Sequence, residues 1–318
     1  MKKLVIEFSN ERLITPSGLS LVGQMLGKSN FIKKCNNMKV DGKRSQSQIK
    51  NGDILLSYIG LLCQGKTSYD AINEMSDDPE YYRLALGITR AIPSAETLRQ
   101  RMDDIGSSLR EEILNANVDM FNTFNVQPSA LESGLVPLDL DVTPMDNSKT
   151  HKEGESKTIT MRIVYEVIER TTDKNGQFLL VPDIECNTIW TNLGWSDDDI
   201  IKGYHAHGEC EQFHSEIKTD MDVERLPSGK FDTNELVLEL TVLAYNILRL
   251  IGQESLKSKR APKTKHPVKR RRIRTVIGNL IQIAGHVTTH GRRIALAIGC
   301  SNVWRHAFMD VYNRFALA

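Results

Sequence analysis

Between Tyr204 and Lys218 the chain gathers side chains able to bind metal ions, move protons or hold phosphate. Tyr204, His207, Glu211, His214 and Lys218 follow one another at steps of three and four, so on a continuous helix they form one stripe. Two chemistries suit that stripe. His207, Cys210 and His214 could share a zinc ion with Glu211 as base, although no H-E-x-x-H is present. Alternatively, Glu211 joins an upstream carboxylate as an oxygen ligand for Mg²⁺, and Lys218 and Tyr204 hold a phosphodiester. A third possibility, a solvated helix face, does no chemistry.

The upstream carboxylates are Asp139 and Asp141. They lie in Leu135 to Thr143, which alternates apolar and acidic residues as a strand with one dry face does. Strand residues i and i+2 point the same way, so the two acids are neighbours. Burying both without a cation is costly, which leaves them either exposed or gathered round a metal.

These residues need elements to position them. After a short opening strand at Leu4 to Phe8, residues 1 to 130 read as mainly helical, with apolar spacing in Leu19-Val22-Leu26, Ile54-Leu55-Ile59-Leu62 and Tyr81-Leu84-Leu86. Pro93-Ser94-Ala95-Glu96 starts a further helix, capped by Ser94, with Arg99 and Arg101 near its amino end where a DNA-reading helix carries them; a plain structural helix has the same start. Strands at Ile159 to Ile168 and Phe178 to Ile184 flank Asn175-Gly176, a hairpin signal. Ser196 and Asp199 form a capping box for the helix bearing the stripe. An apolar helix from Thr233 to Ile251, ending at Gly252, belongs in the core. A closing hairpin pairs Leu280 to Thr288 with Arg292 to Ile298.

Charge divides the chain. The first 256 residues carry 27 bases and 39 acids, whereas Lys257 to Ala318 carries fourteen bases against Asp310 alone. Ten of those bases lie between Lys257 and Arg274, among them Lys269, Arg270, Arg271 and Arg272, and Pro262 and Pro267 forbid a continuous helix there. An extended basic segment faces solvent or a polyanion, for which nucleic-acid phosphate is the expected partner. With 40% apolar and 25% charged residues the chain can bury a real core, and neither disorder nor a coiled coil fits. Five cysteines without a C-x-x-C pair point to reduced thiols in the cytosol. Neither a secretory leader nor a membrane span is expected.

Tyr204-x2-His207-x3-Glu211-x6-Lys218 resembles the Y-x2-R-x3-E-x6-K signature of the DDE-type insertion-sequence transposases, with His in the Arg place. His donates to phosphate without arginine's permanent charge. Its flanks from Glu211 to Asp222 and from Leu226 to Phe231, together with Leu138 to Ser148 and Pro93 to Arg101, resemble one bacterial subgroup, and the likeness covers nearly the whole chain.

The resemblance implies an α/β fold: a shortened ribonuclease-H-like mixed sheet with flanking helices (131–255), after a mainly helical DNA-binding region (1–130) and before a basic C-terminal segment with a closing hairpin (256–318). It implies Asp141 as first catalytic carboxylate and metal ligand, Asp139 as the alternative, and Glu211 as the last, holding Mg²⁺ or Mn²⁺ for in-line displacement at a DNA phosphate. Tyr204, His207 and Lys218 would grip DNA near the scissile bond, with Arg99, Arg101 and Lys269 to Arg272 as further phosphate contacts. The implied partner is double-stranded DNA, as element ends and as target, in the bacterial cytoplasm at the nucleoid, with homo-oligomerisation open and no membrane.

The middle carboxylate of such enzymes has no good counterpart. Asp141 and Glu211 are only 70 residues apart; Asp173 lies in the hairpin turn, Asp183 follows Pro182, and Asp197 to Asp199 serve the helix cap. Lys152 to Thr158 reads as a seam left by an in-frame internal loss. The expected protein is therefore a transposase with impaired strand cleavage. Its rivals are a DNA-binding remnant without activity and a metal-dependent hydrolase of small substrates.

Overall fold

The computed structural model describes residues 6, 8–38, 49–127, 134, 161–264, 266–291 and 293–317, the side chains of 207–210 excepted. The expected strand Leu135 to Thr143, with Asp139 and Asp141, and the seam at Lys152 to Thr158 lie outside the described residues. The chain divides into two compact units, one formed by Met1–Gln127 with Ser215–Ala318 and the other by Pro128–His214. This differs from the three consecutive segments expected: residues 215–255 fold with the chain's two ends.

The physical reason is the helix α8, which in the order of the chain follows β1 (Arg12–Ile14), α1 (Leu19–Leu26), α2 (Phe31–Asn37), α3 (Asn51–Leu62), α4 (Pro79–Leu86), α5 (Ala95–Ile105), α6 (Arg110–Thr123), β2 (Arg162–Thr172), β3 (Phe178–Thr191) and α7 (Asp197–Ser215). Helix α8 runs over Phe231–Leu256 and buries Leu236, Leu240, Leu243, Ile247 and Ile251 almost completely. Each such side chain contributes about 2 kcal/mol when fully buried. The helix touches α3, α5 and α6 on the N-terminal side, and α9 (Ile273–Val276) and α10 (Arg305–Leu317) on the C-terminal side. It passes through Gly252, where termination was expected; a Cβ there would lie 3.0 Å from the Val276 side chain, which suits a glycine inside the helix at this position. Helix α3 is buried along its whole length. Its Asp53 accepts the backbone N–H groups of Thr89 (2.8 Å) and Arg90 (3.0 Å) and the Thr89 hydroxyl, so the buried carboxylate is satisfied.

Three antiparallel strands complete this unit in the order β1, β4 (Gly285–His290), β5 (Arg293–Ile298), with Ile14 opposite Gly285 and Gly285 opposite Ile298. The closing hairpin forms, but its first strand starts at Gly285, since Ile277–Ile281 form a π turn instead. The opening strand is Arg12–Ile14; Ile6 and Phe8, the described residues of the expected Leu4 to Phe8 strand, are outside any strand and exposed. In the N-terminal helices Leu19, Val22, Leu26, Ile54, Leu55, Ile59 and Leu62 are buried as their spacing predicts, while Leu84 of α4 turns outward.

The described residues of the second unit form a hairpin and a helix. Strands β2 and β3 pair antiparallel from Arg162 opposite Thr191 to Thr172 opposite Phe178, longer than expected on both sides. Asp173 closes the turn by accepting the N–H groups of Asn175 and Gln177 (both 2.8 Å), and Gly176 takes φ 81°. One sheet face packs Val164 and Ile189 against Ile200 of α7, flanked by Trp195 and Ile201. Among the described residues every strand pair is antiparallel, so the expected mixed sheet is not part of what they form.

Two expectations follow for stability. A Cβ on Gly23 would lie 1.9 Å from the Ala85 carbonyl oxygen, so Gly23→Ala should force α1 and α4 apart and cost about 2 kcal/mol or more in urea denaturation. Asp78 caps α4 by accepting the Tyr81 N–H (3.0 Å) and receives the Arg12 guanidinium (2.6 and 2.8 Å), which holds its carboxyl below the usual range. A depressed carboxyl stabilises the fold above its unfolded value of about 3.9, and the gain is lost as pH falls through the folded value. Asp78→Asn should therefore lower stability by about 1–2 kcal/mol at neutral pH, a gap that closes below roughly pH 4 in denaturation curves.

Candidate nucleic-acid and catalytic site

Helix α7 carries the first part of the signature. Ser196 accepts the Asp199 N–H (3.2 Å), which caps the helix as expected, while Asp199 receives the Ser196 hydroxyl (2.7 Å) in place of the backbone N–H that a capping box would bring to it. Arg162 donates to the Trp195 carbonyl (2.6 Å) and pairs with Asp197, tying the sheet to the segment before the helix. Tyr204 and Glu211 are exposed on α7, and His207 shares that helix. Helix α7 ends at Ser215, and Glu216–Asp220 form a π turn, so Lys218 stands in a different kind of turn from Glu211 rather than on one continuous α-helix.

Beside Tyr204, His205 meets Glu166 of β2 at 2.8 Å, and Glu166 also accepts the Asn187 amide from the opposite register position on β3 (3.2 Å). The His205 and Asn187 bonds hold the Glu166 carboxyl below its ordinary value. Sequence inspection missed this trio; its one trace is that Glu166 occupies the same strand face as the core residue Val164.

Glu211 is the single signature carboxylate among the described residues. No group of three His, Cys, Asp or Glu side chains among them is arranged to hold a metal ion. The described residues therefore do not by themselves fit a two-ion clamp, whose remaining ligands would have to come from elsewhere in the chain.

The π turn is anchored by acids. Glu216 is buried, pairs with Arg270 and accepts the Tyr245 hydroxyl (3.2 Å). Asp220 accepts Nε and Nη2 of Arg272 (2.8 and 3.0 Å), which raises the arginine pKa above its usual value. Lys218, between them in sequence, is exposed.

The basic segment is thus not a plain polyanion-facing strand. Arg271 is buried, donates to the Ser255 hydroxyl (2.8 Å) and lies 4.7 Å over the Trp304 ring; burial lowers its pKa. Arg260 pairs with Asp310, and Lys257 with Glu254. Lys269 and Arg274 are exposed. Of the two arginines on α5, Arg99 forms a fork with Glu96 (2.6 and 3.0 Å) on the surface. Arg101 turns inward to the Ile49 carbonyl (3.0 Å) and the Asn51 side chain, and burial lowers its pKa. Arg101, Arg270, Arg271 and Arg272 consequently serve the fold first, a role that the run of charge conceals.

No described helix is long and apolar enough to cross a membrane. Residues 147–318 match the family described as Transposase DDE domain group 1, a span that takes in β2, β3, α7, the π turn and the basic segment and begins after Asp141. No curated protein and no solved structure matches the chain. More than half of the chain lies within that match, and the protein belongs to the DDE transposase family.

Proposed function

We propose that the chain binds the terminal inverted repeats of an insertion sequence as double-stranded DNA, and that its strand cleavage and transfer are impaired. The observation that carries the reading is the placement of Tyr204, His207 and Glu211 on one helix, with Lys218 in the turn directly after it, inside the span that matches the family. Tyr204 and Lys218 are exposed and offer a hydroxyl and an ammonium to a phosphodiester. The N-terminal region 1–130, with exposed Arg99, and the bases of 256–318, with exposed Lys269, supply further backbone contacts.

Asp141, or Asp139 in its place, and Glu211 are the oxygen ligands left for Mg²⁺ or Mn²⁺ in a shortened ribonuclease-H-like core. In a complete enzyme of this kind the divalent ions stabilise charge on the attacking and leaving oxygens. Here the short Asp141-to-Glu211 interval supports the loss of the middle carboxylate, and with it several kcal/mol of transition-state stabilisation. The chain's own residues retain what needs no ion, namely gripping and orienting the duplex. A second copy of the chain, or an intact relative, is the expected partner in any oligomer on the element ends.

Incubated with Mg²⁺ or Mn²⁺ and a duplex carrying the matching inverted repeat, the protein should retard the duplex in a gel and leave both strands whole. Glu211→Gln should retard it equally. Efficient cleavage by the parent, abolished in Glu211→Gln, would show a working enzyme; loss of retardation in the parent at low salt would remove the DNA-binding reading altogether.

A further inference from the structure

Lys218 is flanked at two residues on either side by buried acids. Glu216 is 3% exposed as a residue and the Asp220 side chain 1%. Each acid is met by an arginine more than fifty residues later in the chain, Arg270 at Glu216 and Arg272 at Asp220. Asp220 further accepts the backbone N–H of Arg274 (3.3 Å), and its own carbonyl oxygen lies where a Cβ on Gly65 would come within 2.8 Å. A five-residue π turn has little helical cooperativity of its own, so these bonds are what fixes its course.

Along the basic segment the roles alternate. Arg270 and Arg272 reach the π turn, Arg271 is buried against Ser255 and Trp304, and Ile273 is in the core, while Lys269 and Arg274 are exposed at either end. Arg272 has its charge offset by a bidentate carboxylate, and Arg270 has its charge offset by Glu216. Neither then releases DNA counterions as an unpaired base does.

We propose that Arg270 and Arg272 are positioning residues, latching Glu216 and Asp220 so that the π turn holds Lys218 toward a DNA phosphate, with Lys269 and Arg274 of the same segment supplying the neighbouring phosphate contacts. The inference rests on the DNA-binding reading above and deepens it. It replaces four equivalent phosphate ligands in Lys269 to Arg272 with one ligand and three structural arginines.

The test is a double-mutant cycle on the full chain, read as affinity for a short fluorescent DNA duplex over a series of salt concentrations. Lys218→Ala should weaken binding and reduce the slope of log affinity against log salt by about 0.9, the share of one phosphate contact. Asp220→Asn removes a negative charge, so general electrostatics predicts tighter binding. The latch predicts the opposite: binding weaker by a factor similar to that of Lys218→Ala, and no further loss when Asp220→Asn is added to Lys218→Ala. Thermal melts monitored by circular dichroism establish that each variant is folded. Should Asp220→Asn fail to fold, Arg272→Lys takes its place, because it keeps the charge but loses the fork and carries the same expectation. Asp220→Asn binding as tightly as the parent or tighter, or losing the same factor with and without Lys218, overturns the latch while leaving DNA binding intact. A parent chain with no salt-sensitive binding overturns both.

Discussion

A helix of 26 residues that is apolar on most of its faces has to be enclosed, and the enclosure of α8 organises the larger unit. No single neighbour can cover it. Helices α3, α5 and α6 lie against it from one end of the chain, and α9 and α10 from the other. Of the polar groups that enter this core, Thr241 and Ser255 donate within the helix, to the Val237 and Gly252 carbonyls (both 2.7 Å), while the Thr233 hydroxyl reaches Asp103 (2.8 Å) and the Tyr245 hydroxyl reaches Glu216 (3.2 Å). Bringing both chain ends to α8 also brings together β1 and β4, whose pairing joins Arg12 to Val287 across most of the sequence. The unit is discontinuous in sequence for a reason of burial.

The same enclosure decides what the basic segment does. Residues 257–274 leave α8 and must reach α9, and on the way their arginines meet acids already held in place: Asp310 on α10, Glu216 and Asp220 on the π turn. Charge repulsion within the segment is thereby relieved by ion pairs rather than by solvent or DNA alone. Arg271, with a ring face and a hydroxyl in place of a carboxylate, is held by packing as much as by charge. Other bases of the segment, Lys259, Lys263, Lys269 and Arg274 among them, are exposed.

The smaller unit is built by local rules. Asp173 and Gly176 make the turn, the pleat sorts Val164, Glu166 and Ile189 to one face, and Ser196 starts the helix that covers it. On that covered face the apolar contacts give way to the Glu166, Asn187 and His205 cluster one register step beyond Val164. The signature helix is thus seated by hydrophobic contact near its start and by the His205–Glu166 hydrogen bond further along, and Tyr204 and Glu211 are exposed.

Patterns that act within a few residues were legible before any coordinates: the Asn175-Gly176 hairpin, the Ser94 and Ser196 caps, the buried spacing of α1 and α3, and the signature from Tyr204 to Lys218 that leads to the family. Asymmetry of charge between the two parts of the chain was equally plain. Which arginine is a tie and which faces outward was not, because Arg270 and Glu216, or Arg272 and Asp220, are separated by more than fifty residues and share no periodicity. Nor could spacing tell that Gly252 lies inside α8 rather than at its end, since the Val276 side chain that crowds this position belongs to a later element. Short-range steric and hydrogen-bond preferences are written in neighbouring residues. Desolvation and ion pairing depend on which distant surfaces are brought into contact, and in this chain the folding around α8 makes that choice.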